Sequence, residues 1–396
     1  MQCLTFGFFN KSGAVFLSQF TRYDFWLLFT RLCGIVELSK KRVKKGEASM
    51  NESKRYTDLA VEQAAALLAI DSPTGYTANA EAHLLKTFRD MGYEPVHTVK
   101  GGVLVDLGGT DSQNGLLLEA HCDTLGAMVA EIKGSGRLRL VPLGGLPAVM
   151  INTESCRVVT KFDGDYEGTV QICNASTHVN GELRSLVPSY DNMELVLDEL
   201  VSNAEDVKAL GIGVGDIVCV KPRTTVTGKG YIKSRYLDDK LSAGILIALA
   251  KYLKDQNVTP ARRVYLHFTV YEEVGHGGAG SVPGGVTEAI SVDMGCVGNG
   301  LQCTERQVSI CAKDSGGPYS YEVVRKLIAA AKAQGADYAV DVYPHYGSDV
   351  EATLGAGWDL RHGLIGPGVY ASHGYERSHK DGVENTLKVL VGYITE

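Results

Sequence analysis

Five short segments of this chain gather carboxylates and imidazoles. His121-Cys122-Asp123 follows the apolar run 115–120, and Asp238-Asp239-Lys240 stands directly before an apolar helical stripe. Glu272-Glu273 follows the run 264–271, and Asp293 closes Ser291-Val292. His373 and His379 lie within 372–379, ahead of the last amphipathic stretch. Each segment alone has a plain structural explanation. An Asp pair before a helix caps it and complements its dipole, and a Glu pair after a strand is an ordinary solvated turn. Together they are harder to dismiss, because most abut apolar strands where an unpaired buried carboxylate is costly. Divalent cations remove that cost, since they take histidine nitrogen and carboxylate oxygen. Two such ions are balanced by the carboxylates Asp238, Glu273 and Asp293 plus one bridging hydroxide, and two neutral histidines complete the shells. Paired metals about 3.5–4 Å apart serve several classes of hydrolase. Glu272 is then left free as a base.

The elements around these segments have to bring them together. Leu59, Ala60, Ala64, Leu67 and Leu68 form a helical stripe, and further helices are predicted over 80–91, 241–253, 319–334 and 385–394. Strands are predicted over 94–99, 103–107, 115–120 and 263–271, and 286–290 leads into another that ends at Asp293. Open α/β sheets bind ligands at the carboxyl ends of strands, where three of the five segments fall. Between 130 and 230 the texture changes to short alternating strands over 137–141, 157–162 and 169–173, separated by Gly-rich turns. The reading is an α/β domain over 50–129 and 231–396, interrupted by a β-rich insert over 130–230.

Residues 1–49 differ from the rest. They have no clear period, cluster Phe and Cys, and end in the basic run Lys40-Lys41-Arg42-Val43-Lys44-Lys45. One reading is a targeting or anchoring extension. The preferred one is upstream untranslated sequence read as protein, with Met50 as the native start, since Lys45-Gly46-Glu47 can be encoded with a bacterial ribosome-binding sequence. The N-terminal apolar stretch is broken by Asn10, Lys11, Arg22, Asp24 and Arg31. Its uncharged runs fall short of the ~20 residues of a spanning helix, so no membrane partner is expected. A net charge of −7 over 396 residues argues against nucleic acid. Nine Cys with no C-x-x-C pair read as reduced cytoplasmic thiols.

At the five segments the chain resembles the co-catalytic dimetal aminopeptidases of metallopeptidase family 42 (clan MH), which include tetrahedral and glutamyl aminopeptidases and FrvX-like proteins. His121-Cys-Asp123-Thr-Leu-Gly126 resembles the family's His-x-Asp-x-x-Gly, and Leu237-Asp238-Asp239-Lys240 its Leu-Asp-Asn/Asp-Arg/Lys. Glu272-Glu273-Val274-Gly275, Val292-Asp293, Gly347-Ser348-Asp349 and the Gly-rich 211–216 also match. The resemblance implies a mixed-sheet catalytic domain of the zinc-exopeptidase (phosphorylase/hydrolase-like) type, with helices on both faces and a small β-rich oligomerisation insert. It implies two divalent ions per subunit, zinc first and cobalt or manganese as alternatives. Asp238 would bridge them, His121 and Asp293 completing one shell, Glu273 and His373 the other. Glu272 would be the general base acting on a metal-bridging hydroxide, and Asp123 would orient His121. The substrates implied are small peptides cleaved at the N-terminal residue, and the assembly a homo-oligomer of dimers, up to a dodecamer.

The last ligand departs from the family pattern, a single His followed by Ser-Pro-x-Glu. Here two His compete and Pro is missing; His373 has Glu376 three residues on and is preferred over His379. His276 reads as a loop residue, and His345 as part of a Tyr-rich turn. Competing functions are another dimetal amidohydrolase (deacylase or carboxypeptidase) and a non-catalytic scaffold, the latter disfavoured because no ligand and no base is missing. A glycosidase needs a carboxylate pair without required metals, whereas these carboxylates come interleaved with His.

Overall fold

The computed structural model describes residues 8–9, 15–16 and 53–395. The chain divides into two compact units, Met1–Arg55 and Tyr56–Glu396. In the first, β1 (Phe8–Phe9) pairs antiparallel with β2 (Val15–Phe16). The reading of 1–49 as untranslated sequence otherwise lies outside the described residues.

The second unit begins within α1 (53–68) and continues to α2 (Ala78–Asp90), whose buried residues Ala80, Leu84 and Phe88 fall on one helical face. Three strands follow: β3 (Val96–His97), β4 (Val103–Gly108) and β5 (Asp111–His121). The last seven residues of β5 are all buried. That is the pattern of a central parallel strand covered on both faces.

A closed barrel comes next. It contains β6 (Gly126–Ile132), β7 (Leu138–Leu143), β8 (Ser155–Val159), β9 (Asp165–Ile172), β10 (Met193–Leu197) and β11 (Ile217–Val220), in the order β10-β7-β6-β11-β8-β9. Inward residues alternate with outward ones along β8 and β9. The short helix α3 (Ala204–Ala209), capped by the Asn203 side chain, lies between β10 and β11.

The chain then returns to one twelve-stranded sheet. Its later members are β12 (Thr225–Val226), β13 (Tyr231–Ser234), β14 (Arg262–Thr269), β15 (Val286–Val292), β16 (Gly295–Val297), β17 (Val308–Lys313), β18 (Tyr338–Val342), β19 (Arg361–Tyr370) and β20 (Glu376–His379). The helices are α4 (Leu237–Asp255), α5 (Tyr321–Gln334), α6 (Asp349–Gly355) and α7 (Lys380–Thr395). The sheet runs β12-β13-β20-β19-β15-β5-β14-β4-β3, with β16 and β17 joined to β19 and β18 to β17. Its centre, β14, β5, β15 and β19, is parallel. In register, Thr269 stands beside His121 and Ile365 beside Val292, so the carboxyl ends of these strands open onto one edge.

Helix α4 is buried along almost its whole length, from Leu237 to Ala250. At Gly244 a Cβ would stand 2.4 Å from the Ala60 carbonyl of α1 and 2.9 Å from Ala64 Cβ. Only a glycine allows this approach. Lys240, 1 % exposed, reaches from the first turn of α4 to donate to the carbonyls of Leu67 (3.0 Å) and Ile70 (2.6 Å). The end of α1 and the turn that follows it are thereby tied to α4. Among the described residues no helix is long and apolar enough to cross a membrane.

Candidate active site

His121 ends β5 and is 1 % exposed. Its Nδ1 lies 2.9 Å from the main-chain carbonyl of Asp123, which can only accept, so Nδ1 carries the proton. Nε2 is left to face Asp238 Oδ1 at 3.0 Å and Glu272 Oε2 at 3.6 Å. The Asp123 carboxylate is farther from the ring, at 3.7 Å. It accepts instead from Thr74 Oγ1 (2.7 Å) and from the backbone N–H groups of Glu272 (3.2 Å) and Glu273 (3.4 Å). Orientation of His121 thus falls to the Asp123 main chain, while the side chain pins the turn that presents both glutamates.

Asp238 sits at the start of α4, two residues after Tyr236, whose φ of 67° is left-handed. One of its oxygens faces His121. The other, Oδ2, lies 3.6 Å from His373 Nε2, which is itself 3.8 Å from Glu273 Oε2. Left-handed residues recur at Tyr271 (φ 69°), immediately before Glu272, and at His373 (φ 62°). Such backbone is costly for non-glycine residues and clusters at functional sites. His373 Nδ1 donates to the Gly145 carbonyl at 3.0 Å, so in the neutral ring Nε2 is the nitrogen that carries the lone pair, and it points inward. Asp293, just past β15, accepts from the Met294 N–H at 2.6 Å and lies within 4.8 Å of His121 and Asp239.

The structure therefore brings together His121, Asp123, Asp238, Glu272, Glu273, Asp293 and His373. It does not bring in His379. On β20 that ring accepts from the Asp381 N–H (3.0 Å), donates to the Lys229 carbonyl (2.8 Å), and stands edge-on to Tyr231, so both nitrogens are engaged. His276 is exposed and stacks on Tyr271, and His345 lines the cleft.

Three groups escaped sequence reasoning. Glu376 accepts from the N–H groups of Asp238 (3.1 Å) and His373 (3.0 Å), tying the two loops together. Its spacing from His373 was the available signal. Asp239 is fully buried, and neither carboxylate oxygen has a hydrogen-bond partner. It was visible in the motif, but its orphaned oxygens were not. Gly145 had no signal, because its contact with His373 spans 228 residues.

Burial and neighbouring like charge push Asp239, Glu272 and Glu273 well above the usual carboxylate range, and Asp293 to about 7. Burial also acts on Asp238, but the His121 bond outweighs it and holds Asp238 low. Five carboxylates and two imidazoles converge here. Among the described residues no Lys or Arg forms an ion pair with these carboxylates. This donor set, with inward lone pairs and orphaned oxygens, fits divalent cations. A cleft of about 690 Å³ opens over it, lined also by Ser315, Tyr346 and Glu351.

A parallel-centred α/β sheet with a carboxylate–imidazole centre at its strand ends defines a metal-dependent hydrolase. The family model described as M42 glutamyl aminopeptidase matches residues 101–389, and the chain belongs to that family. It is a metal-dependent aminopeptidase with the family's α/β fold. The Bacillus subtilis protein named "Putative aminopeptidase YhfE" is 40% identical over 83% of this chain and 95% of its own. The glutamyl aminopeptidase of Lactococcus lactis is 24% identical over 54% of this chain and 60% of its own. The solved TET1 peptidase of Pyrococcus horikoshii, which can assemble into a tetrahedron or a large octahedral shell, matches with a TM-score of 0.75 at 23% identity. That match covers 85% of this chain and 99% of the other.

Proposed function

We propose that the chain is a dinuclear aminopeptidase of small peptides. His121, Asp238 and Asp293 hold one divalent ion, and Asp238, Glu273 and His373 hold the second. The observation that carries this reading is Asp238, whose two oxygens face the two inward imidazoles from opposite sides. The nitrogen and oxygen donors suit zinc, with cobalt or manganese as alternatives. When bound, such ions polarise a carbonyl and supply a nucleophilic water at neutral pH.

The remaining work falls to the chain's own groups. Glu272 is no ligand in this scheme. It stands 3.6 Å from His121 Nε2, beside the proposed ligands, where its carboxylate can take a proton from the attacking water and return it to the departing amine nitrogen. Asp123 fixes Glu272 by holding its backbone N–H. Glu376 fixes the spacing of Asp238 and His373. The main-chain carbonyls of Asp123 and Gly145 hold both imidazoles in the tautomer that leaves Nε2 free to ligate.

The barrel, Gly126–Val220, is the inserted module of the domain scheme, and its outer surface serves assembly into a homo-oligomer built from dimers. The seven cysteines among the described residues are all free, which supports a reducing, cytoplasmic setting. Metal content per chain, measured beside hydrolysis of aminoacyl p-nitroanilides, tests the reading. Two ions per chain and release of free N-terminal residues are expected. A fully active chain with one ion would remove the dinuclear assignment.

A further inference from the structure

Apart from the shared Asp238, the two proposed ions draw on different parts of the chain. The first ion's own ligands are held by groups beside them at the sheet: His121 by the Asp123 carbonyl at 2.9 Å and Asp293 by the Met294 N–H at 2.6 Å. The second ion's own ligands meet the segment 144–150, which lies between β7 and β8 of the barrel. The Gly145 carbonyl accepts from His373 Nδ1 at 3.0 Å. At Gly144 (φ 70°) a Cβ would stand 2.9 Å from the Glu273 carbonyl oxygen and 3.3 Å from the Glu273 Cβ, so this backbone lies directly on Glu273. A Cβ at Gly374, the residue after His373, would stand 3.1 Å from Met150 Sδ. A buried cation grips the same segment. Arg235, 2 % exposed, donates from Nη2 to the Met150 carbonyl at 2.5 Å and pairs through the same nitrogen with Glu154 at 3.2 Å. Its Nε and Nη1 have no hydrogen-bond partner among the described residues. Such a group is costly to bury and calls for an explanation. An independent observation supplies one: Arg235 lines a narrow cavity together with Asp238, Glu273, His373 and Glu376.

We propose that Arg235 is a positioning residue for the second ion: by clamping the segment 144–150 it keeps Glu273 and His373 in place, and so sets the affinity of that site and not of the first. The proposal rests on the dinuclear reading and adds what governs its second site. Position and charge act here with opposite signs. A guanidinium beside the cavity repels a cation, so loss of its charge alone would tighten the second ion. Loss of the clamp frees the segment that seats both ligands, and the second ion weakens. Groups that orient metal ligands from outside the coordination shell typically govern affinity by about 10- to 100-fold.

The test is a calorimetric titration of the metal-stripped full chain with zinc, with His373→Ala as the reference that keeps the first site alone. Arg235→Met should weaken the second ion by about 10- to 100-fold while leaving the first within about threefold of the parent. Arg235→Lys, which keeps the charge and a donor for the Met150 carbonyl, should recover part of the loss. Tyr190→Phe probes the same segment without disturbing a buried charge. It removes the O–H that donates to the Leu146 carbonyl at 3.0 Å, and should weaken the second ion in the same sense by about 3- to 10-fold. An unchanged or tighter second ion in Arg235→Met overturns the proposal. So does a chain in which both ions weaken alike and the Tm falls, since that marks general support of the fold. Should Arg235→Met not fold, Tyr190→Phe decides by the same criteria. These outcomes sink this proposal alone. A parent chain that takes up a single ion removes the dinuclear reading and this inference with it.

Discussion

Glu272 and Glu273 are adjacent in sequence and, in the proposed reading, have opposite duties. Glu272, which faces His121, would carry the proton, and Glu273, which faces His373, would be a ligand. Glu272→Gln should therefore keep both metals and the fold while kcat falls by about 10²–10⁴-fold, and metal analysis beside steady-state kinetics checks it. A Gln variant with near-normal kcat would free Glu272 of the role. The two histidines separate in the same way. His373→Ala should leave one metal per chain and little activity, whereas His379→Ala should keep two, because the His379 ring is occupied by Asp381 and Lys229. Two metals in both variants would show that neither is a ligand. The crowded carboxylates also set a pH dependence for the metal-stripped protein. The Asp293 pKa, near 7 when folded and about 4 when unfolded, is raised by folding. Stability from its protonated form is complete below the unfolded value and is lost as pH rises through about 7. Asp238, Asp239, Glu272 and Glu273 face the same space, and His121, its proton held by those charges, changes stability with the same sign. The Tm of the chelated protein should fall between about pH 5.5 and 8, and added zinc should flatten the trend; a Tm that climbs over that interval would contradict it. At this scale most of the site was legible in the sequence, because side-chain type and strand-end position are local facts. What Asp239 and Glu376 do there was not legible, since an orphaned oxygen and a loop-to-loop bond exist only in three dimensions.

Elements were legible where periodicity was strong. The stripe over 241–253 lies inside α4, and the run 263–271 contains most of β14. The short strands β12, β16 and β20 carry two to four residues each, too few for any period to show. The close seating of α4 on α1 was also hidden, because a glycine in a helix reads only as a weak helix former. That seating makes a firm prediction. Gly244→Ala gains helix propensity but places a Cβ 2.4 Å from the Ala60 carbonyl, so it should destabilise by about 1–3 kcal/mol. Because Lys240 lies one turn earlier, the displaced α4 should carry Asp238 with it. Thermal unfolding together with metal affinity checks both, and an unchanged or higher Tm would show that the helices part freely.

At the scale of the whole molecule, the barrel presents large apolar side chains to solvent: Phe162 is 91% exposed and Leu200 fully so. If that surface builds the oligomer, Phe162→Glu and Leu200→Glu should yield smaller species by sedimentation, while a parent chain that sediments as a monomer would refute the assembly reading. The short alternating strands and Gly-rich turns of this part were readable in the sequence as a β-rich texture. Its closure was not, since β10 and β7 meet across more than fifty intervening residues. The contact between Gly145 and His373 has a different kind of consequence. Both site imidazoles are steered by carbonyls of the main chain, which every amino acid possesses. The steering itself is therefore insulated from genetic drift, and the segment after His373 can lose its Pro without disturbing it. Constraint reappears only as forbidden bulk. A Cβ on residue 145 would stand 3.0 Å from the ring nitrogen it serves, so a side chain here would press on the imidazole, although none of its own takes part in the chemistry.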